Sequence, residues 1–201
     1  GTDDNANGLL DEEEIDGTIY DCSDPNSEEN GSGLASFGDL TIIDDEVFSV
    51  FCESYSIIVG NLEINGSDVE SLEGLSCLNK VYGDVKILNT NATTLVGLDN
   101  LYYVGGNITI KNNFELLNVD GLSALTAHSF SFEIRSNAHL IHLDGLSNLE
   151  SIYSLSIKSN PNLANINGLS SIHIVEDFLE VTDNYSLTNV DGLSGLISID
   201  G

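Results

Sequence analysis

Apolar positions recur with a fixed spacing along most of the chain. Gly-Leu pairs mark the repeat, and successive pairs are 23 or 24 residues apart: Gly74-Leu75, Gly97-Leu98, Gly121-Leu122, Gly145-Leu146, Gly168-Leu169 and Gly192-Leu193. A repeat of this length is typical of a solenoid, in which each turn is one copy of the same small unit. The chain is therefore expected to coil, with each turn stacked on the one before it.

Aligning the repeats on these pairs gives seven apolar columns of six residues, broken only by His128. Two of the columns lie two residues apart, which places both on one face of a short strand. They contain Leu62, Val85, Ile108, Phe132, Leu155 and Leu179, and Ile64, Ile87, Ile110, Ile134, Ile157 and Val181. The other columns follow mostly at steps of three, with a glycine in each turn, which disfavours a helix. The pattern predicts an all-β solenoid of about six turns of 23–24 residues.

A polar column accompanies the apolar ones, three residues after the second strand column. It contains Asn113, Asn137, Asn160 and Asn184, with Thr90 and Ser67 in the first two turns. An inward amide at a corner bonds the backbone of neighbouring turns and tolerates unusual backbone angles. We therefore expect this column to be structural and not catalytic.

The charge balance restricts the partners. The chain carries 33 acidic and five basic residues, a formal net charge of −28. Nucleic acid and anionic membrane surfaces are bound through basic surface, so both are disfavoured as partners, whereas divalent cations are attracted. No apolar run approaches the ~20 residues that span a bilayer, so direct membrane insertion is not expected. The lack of a signal peptide and of methionine leads us to expect a processed piece of a longer precursor.

The first residues differ from the repeats and contain a calcium-loop pattern. Residues 3–14 fit the twelve-residue loop D-x-[DN]-x-[DN]-G-x5-E. The predicted oxygen ligands of a structural Ca²⁺ are Asp3, Asn5, Asn7, Leu9 (through its carbonyl), Asp11 and Glu14. The alternative is an acidic tail without a metal. We divide the chain into a calcium-loop segment (1–21), a linker (22–36) and the solenoid (37–201).

One stretch carries a family resemblance. The run "VFSVFCESYSIIVGNLEINGSDVESLEGLSCLNKVYGDVKI" resembles the start of the receptor L domain, and is closer still to bacterial cell-surface proteins with such repeats. The resemblance covers about residues 37–201. It implies a right-handed β-helix-like solenoid with an N-terminal helical cap. Leucine-rich repeats are the rival fold, but the two residues between Asn160 and Leu163 favour the L domain.

The cysteines are interpreted through the same resemblance. Three cysteines permit one disulfide and leave one thiol. In the family a cysteine near the domain start joins one in the cap helix, which implies a Cys22–Cys52 bond here. A Cys52–Cys77 pair is the alternative and stays open. Either bond suits an oxidising extracellular compartment, so we expect an extracellular or cell-surface-anchored protein.

A candidate contact stripe consists of Lys111, Arg135 and Lys158. These residues occupy the same place in three consecutive turns, directly after the second strand column, and should point outward. One interpretation is a contact for an anionic glycan or an acidic protein segment. The other is local charge balance, because Glu133 lies two positions before Arg135 on the same strand face.

The sequence contains few motifs that are typical of enzymes. The chain has no G-x-S-x-G nucleophile motif and no phosphate-binding loop. We therefore expect a non-catalytic recognition or adhesion module on a bacterial cell surface, binding an extracellular glycan or protein ligand. The alternative is a structural spacer in a larger surface protein, stiffened by calcium. Both rest on analogy at the level of the fold.

Overall fold

The computed structural model describes residues 34–45, 51–52, 55–126 and 131–200. Short strands dominate this part of the chain. In chain order they are β1 (Leu34–Phe37), β2 (Leu40–Asp44), β3 (Tyr55–Val59), β4 (Leu62–Asp68), β5 (Lys80–Val81), β6 (Val85–Leu88), β7 (Tyr103–Val104), β8 (Ile108–Lys111), β9 (Ser131–Arg135), β10 (Ser151–Ile152), β11 (Ser154–Lys158), β12 (Ile174–Val175), β13 (Leu179–Thr182) and β14 (Ser198–Ile199). Single 3-10 turns are η1 (Glu73–Leu75), η2 (Asp120–Leu122), η3 (Asp144–Leu146), η4 (Asn167–Leu169) and η5 (Asp191–Leu193).

The strands form three parallel sheets. The largest has the order β13-β11-β9-β8-β6-β4-β2, and the smaller ones are β1-β3-β5-β7 and β10-β12-β14. Neighbouring strands in each sheet come from successive passes of the chain, so every pass adds one strand beside the last. The predicted all-β class is confirmed. The right-handed coil and the number of turns stay predictions.

The register of the largest sheet confirms the two predicted strand columns. Leu62 pairs with Val85, Val85 with Ile108, and the same register continues through Phe132 and Leu155. The neighbouring column, from Ile64 onward, is paired in the same way, and its isoleucines are fully buried, whereas its last member Val181 is partly buried. Equivalent apolar side chains thus stack from turn to turn and form a continuous hydrophobic core that is shielded from water.

The largest sheet has one strand more than the repeat predicted. In β2, Leu40 pairs with Leu62 and Ile42 with Ile64, so the two columns extend one turn toward the N-terminus. This first turn has no Gly-Leu pair, which is why the alignment missed it. The predicted linker also ends early, because residues 34–36 belong to β1 and pair with β3.

The repeated Gly-Leu pairs have a steric cause. Each leucine of the described pairs from Leu75 to Leu169 is buried in the core. A Cβ added at Gly121 would collide with the carbonyl oxygen of Leu95 in the preceding turn, and one at Gly97 would collide with the carbonyl oxygen of Leu72. Gly97 also has φ +112°, which side chains disfavour. Glycine is therefore required where the turns approach most closely.

The asparagine column forms a buried ladder. The side-chain oxygens of Asn113, Asn137, Asn160 and Asn184 each accept a hydrogen bond from the backbone N–H one turn earlier, at 3.0 Å. Thr90 belongs to the ladder, as predicted, and is its first member. Ser67 does not join it, which corrects the prediction for that turn: β4 continues to Asp68, so Ser67 is an exposed strand residue and not an inward corner.

A disulfide joins Cys52 to Cys77. The Cys22–Cys52 bond implied by the resemblance is therefore wrong in this structure, because Cys52 is already bonded, and the alternative pair is the one present. Cys22 lies outside the described residues. Phe51 and Cys52 have helical backbone, but residues 46–50 and 53–54 are not described, so the cap helix stays a prediction.

Candidate functional site

The outward face of the largest sheet carries the candidate site. Because side chains alternate along a strand, two outward columns lie beside the buried ones. One contains Thr41, Glu63, Lys86, Thr109, Glu133, Ser156 and Glu180, paired in register from strand to strand. The other contains Asn65, Leu88, Lys111, Arg135, Lys158 and Thr182, also in register.

The structure brings the three predicted contact residues together on adjacent strands. Lys111 of β8 pairs with Arg135 of β9, which pairs with Lys158 of β11. We call these three residues the basic stripe. At ~4.8 Å per strand, its first and last members lie roughly 10 Å apart across the sheet. Lys86 lies on the same face, so four of the five basic residues of the chain share it.

Two members of the basic stripe have acidic partners. The ammonium of Lys158 donates to Glu180 Oε1 at 2.9 Å, and this hydrogen bond holds the pKa of Glu180 below its ordinary value. Arg135 Nη1 lies 3.9 Å from Glu133 Oε1. Within the described part of the chain, Lys111 has no carboxylate at ion-pair distance. Local charge balance thus accounts for Lys158 best, for Arg135 weakly and for Lys111 not at all.

A polar corner borders the basic stripe. The residue directly after each stripe member has a left-handed backbone: Asn112 at φ 59°, Ser136 at 58° and Ser159 at 56°. Such angles are rare for residues other than glycine, and short polar side chains tolerate them best. Asn112 Nδ2 donates to Asn89 Oδ1 at 3.1 Å, so the corner continues as an amide ladder. The stripe is therefore flanked by amides and hydroxyls held on a rigid backbone.

The strands that carry the basic stripe expose no large apolar side chain. The outward residues of β8, β9, β11 and β13 are Thr109, Lys111, Glu133, Arg135, Ser156, Lys158, Glu180 and Thr182. Three bases and two acids make this part of the face slightly positive. It is an unusual area in a chain with a net charge of −28.

A second surface, outside the largest sheet, is aromatic. The rings of Tyr82 and Tyr103 lie 5.4 Å apart, and the Lys80 ammonium lies 5.7 Å from the centre of the Tyr102 ring. These residues belong to, or lie directly beside, β5 and β7 of a smaller sheet. Lys80 is thus the basic residue of the chain that lies away from the basic stripe face.

The predicted calcium ligands Asp3, Asn5, Asn7, Leu9, Asp11 and Glu14 lie outside the described residues. In the described ranges, no three acidic, histidine or cysteine side chains are grouped so that they would hold a metal ion. No helix in these ranges is long and apolar enough to cross a membrane.

Sequence reasoning missed the role of Glu180 as the partner of Lys158, although the repeat already placed the two residues on neighbouring strands.

Comparison with models of known protein families gives a match. The sequence model of a protein family described as the Receptor L domain matches residues 56–168, more than half of the chain. Receptor L domains are extracellular, non-catalytic ligand-binding modules of receptors. No curated protein and no solved structure matches the chain.

Proposed function

Because this chain belongs to the receptor L domain family, we propose that it is a recognition or adhesion module of a bacterial cell surface that binds an extracellular glycan or protein ligand without catalysis. The basic stripe is its contact site. The membership supports extracellular ligand binding, and the disulfide fits an oxidising compartment.

The observation that carries this proposal is the position of Lys111, Arg135 and Lys158 in adjacent strands of one sheet face. Parallel pairing fixes their spacing, so a ligand meets three cations in a preorganised row. Preorganised contacts lose less conformational entropy on binding than flexible ones. Lys111, which has no ion-pair partner among the described residues, is available to a ligand without displacing an acid.

A binding array of glycans and extracellular proteins, probed with the purified chain, tests the proposal. We expect at least one ligand whose binding is lost in the triple variant Lys111→Ser, Arg135→Ser, Lys158→Ser. Lys80→Ser is the matched control, because it removes a positive charge from a different sheet. Ligands that bind the triple variant as well as the wild type contradict the role of the stripe.

The second candidate function is a spacer stiffened by calcium, favoured by the loop pattern of residues 3–14. In this case Ca²⁺ orders the segment before the solenoid and fixes the angle to a preceding domain. If the chain binds no ligand on the array but does bind Ca²⁺, the spacer is favoured over the recognition module.

A further inference from the structure

We propose that the ligand of the basic stripe is a linear acidic glycan, with about one carboxylate per sugar, that lies across the strands. This inference rests on the proposed function and narrows its ligand class from glycan or protein to a uronate-type polymer. Three properties of the face carry it: the missing apolar anchors, the strand spacing of the cations and the interleaved acids.

The first argument concerns the kind of contact that the face offers. Protein–protein interfaces take most of their binding energy from buried aromatic and aliphatic anchors near the centre. The outward residues of β8, β9, β11 and β13 are all polar or charged. The apolar side chain in the column of the stripe is the half-buried Leu88 of β6, which lies beside Lys111 at the edge of this area and not at its centre. Sugars, in contrast, are bound through many hydroxyl groups. The corner beside the stripe supplies the matching donors and acceptors at Asn112, Ser136 and Ser159.

The second argument concerns spacing. The cations of the stripe recur once per strand, at ~4.8 Å. In an extended acidic peptide, carboxylates on one side recur every second residue, at roughly 6.8 Å, and fall out of step with the stripe. A chain of acidic sugars presents one carboxylate per ring, and a ring is about as long as the separation between the strands. A uronate polymer laid across the strands therefore places one acidic ring over each of Lys111, Arg135 and Lys158.

The third argument concerns charge density. Glu133 and Glu180 lie in the neighbouring outward column, two positions before Arg135 and Thr182. They repel anionic ligands more strongly the more negative charges a ligand carries per unit, and the net charge of −28 repels polyanions elsewhere on the protein. The face thus selects a moderately charged polymer against a densely sulfated one. Lys158 still has donor capacity, because an ammonium donates three hydrogen bonds and Glu180 takes one.

The test measures affinities of the full chain by calorimetry for four probes. They are oligogalacturonates of two to six units, neutral cellohexaose, a hexaglutamate peptide and a heparin hexasaccharide. We expect binding of the oligogalacturonates to strengthen until the oligomer spans all three stripe residues and then to level off. The triple serine variant should weaken it by about tenfold or more, as expected for three exposed charge contacts. Lys80→Ser should leave it unchanged.

A second variant protects the test against misfolding. The double variant Ser136→Gly, Ser159→Gly keeps every charge, removes only two half-buried hydroxyls at the corner, and places glycine where the backbone is left-handed. It should weaken oligogalacturonate binding while the melting temperature stays at the wild-type value. Unchanged affinity in this variant overturns the assignment of the corner to the ligand.

The outcomes separate this inference from the proposed function. If hexaglutamate or an array protein binds through the stripe and oligogalacturonates do not, the recognition function stands and the glycan class is overturned. If cellohexaose or heparin binds as tightly as oligogalacturonate, the charge argument is wrong. If oligogalacturonate binds the triple variant as well as the wild type, the stripe is not its site, and the inference fails together with the proposed contact site.

Discussion

The side-chain oxygen of Asn137 accepts a hydrogen bond from the backbone N–H of Asn113, one turn earlier, at 3.0 Å. The Asn137 amide nitrogen donates to the carbonyl of Ile110 at 3.0 Å, and the whole side chain is buried. One side chain therefore satisfies two buried backbone groups at the end of one strand, β8, in the preceding turn. Because Asn113, Asn160 and Asn184 repeat this arrangement, the ladder links the polar groups of the corner in the way that the apolar columns link the core.

Asn137→Ala should lower the free energy of unfolding by about 2–4 kcal/mol, because it leaves a buried N–H and a buried carbonyl without partners. The change is measured by urea denaturation, with unfolding monitored by circular dichroism. Asn100→Ala is the control: Asn100 is exposed and donates one bond to the carbonyl of Ser76, so its loss should cost less than about 1 kcal/mol. Equal losses in the two variants contradict the structural role of the ladder.

Gly121→Ala should destabilise the fold more than a methyl group usually does. The added Cβ collides with the carbonyl oxygen of Leu95, and backbone cannot move away without breaking the stacking of the turns. We expect a loss of about 3 kcal/mol or more. Thermal unfolding of this variant beside Ser123→Ala, which changes an exposed residue of the same turn, provides the comparison. A melting temperature equal to that of Ser123→Ala is inconsistent with close contact between the turns.

The disulfide predicts both a connectivity and a stability effect. Peptide mapping of the unreduced protein should give one cross-linked fragment containing Cys52 and Cys77, with Cys22 open to alkylation. Because the bond closes a loop with a sequence separation of 25, its removal in Cys77→Ser should cost ~3.5 kcal/mol in the chain-entropy estimate. A fragment joining Cys22 to Cys52 contradicts the pairing found here.

Much of the fold follows from the sequence because burial acts on every repeat in the same way. Leu116, Leu140 and Leu163 occupy one column in the alignment and are all fully buried. The stripe was predicted for the same reason, since the side chain after an inward strand residue points outward. Alternation and period are thus enough to place a residue on a face of a regular sheet.

Other features depend on contacts that the period does not contain. The first strand pair was missed because Leu40 and Ile42 carry the columns without the Gly-Leu mark. The disulfide partner of Cys52 depends on the distance between Cys52 and Cys77 in the folded chain, and the spacing of the repeat does not fix that distance. The bond from Lys158 to Glu180 depends on side-chain conformation, which the repeat does not fix.

The acid stability of the protein should depend on Asp39. Its Oδ1 accepts hydrogen bonds from the backbone N–H of Asn61 at 2.8 Å and from the Asn61 side chain at 3.0 Å, and these bonds lower the pKa of Asp39. A lowered folded-state pKa means that the ionised carboxylate stabilises the fold above the ordinary value of about 3.9, and that this contribution is lost as the pH falls through the folded-state pKa.

Asp39→Asn should therefore be less stable than the wild type near pH 7, and the difference should shrink as the pH falls below about 4. Urea unfolding at a series of pH values measures it. The exposed variant Asn100→Ala, which changes no charge, should give a curve parallel to that of the wild type. A constant difference between Asp39→Asn and the wild type across the whole series contradicts the assignment of the pH dependence to Asp39.

The calcium loop is tested by a pair of variants one residue apart. If residues 3–14 bind Ca²⁺ as the motif predicts, Glu14 supplies two oxygens at the last loop position, and Glu14→Gln should abolish most of the binding heat in a calorimetric titration. Glu13→Gln removes the same charge from a position that the motif does not use as a ligand, so it should bind Ca²⁺ nearly as the wild type does. Equal heats from the wild type and Glu14→Gln disprove the loop. Equal losses in both variants indicate that the acidic segment attracts the cation through its total charge, without a defined site.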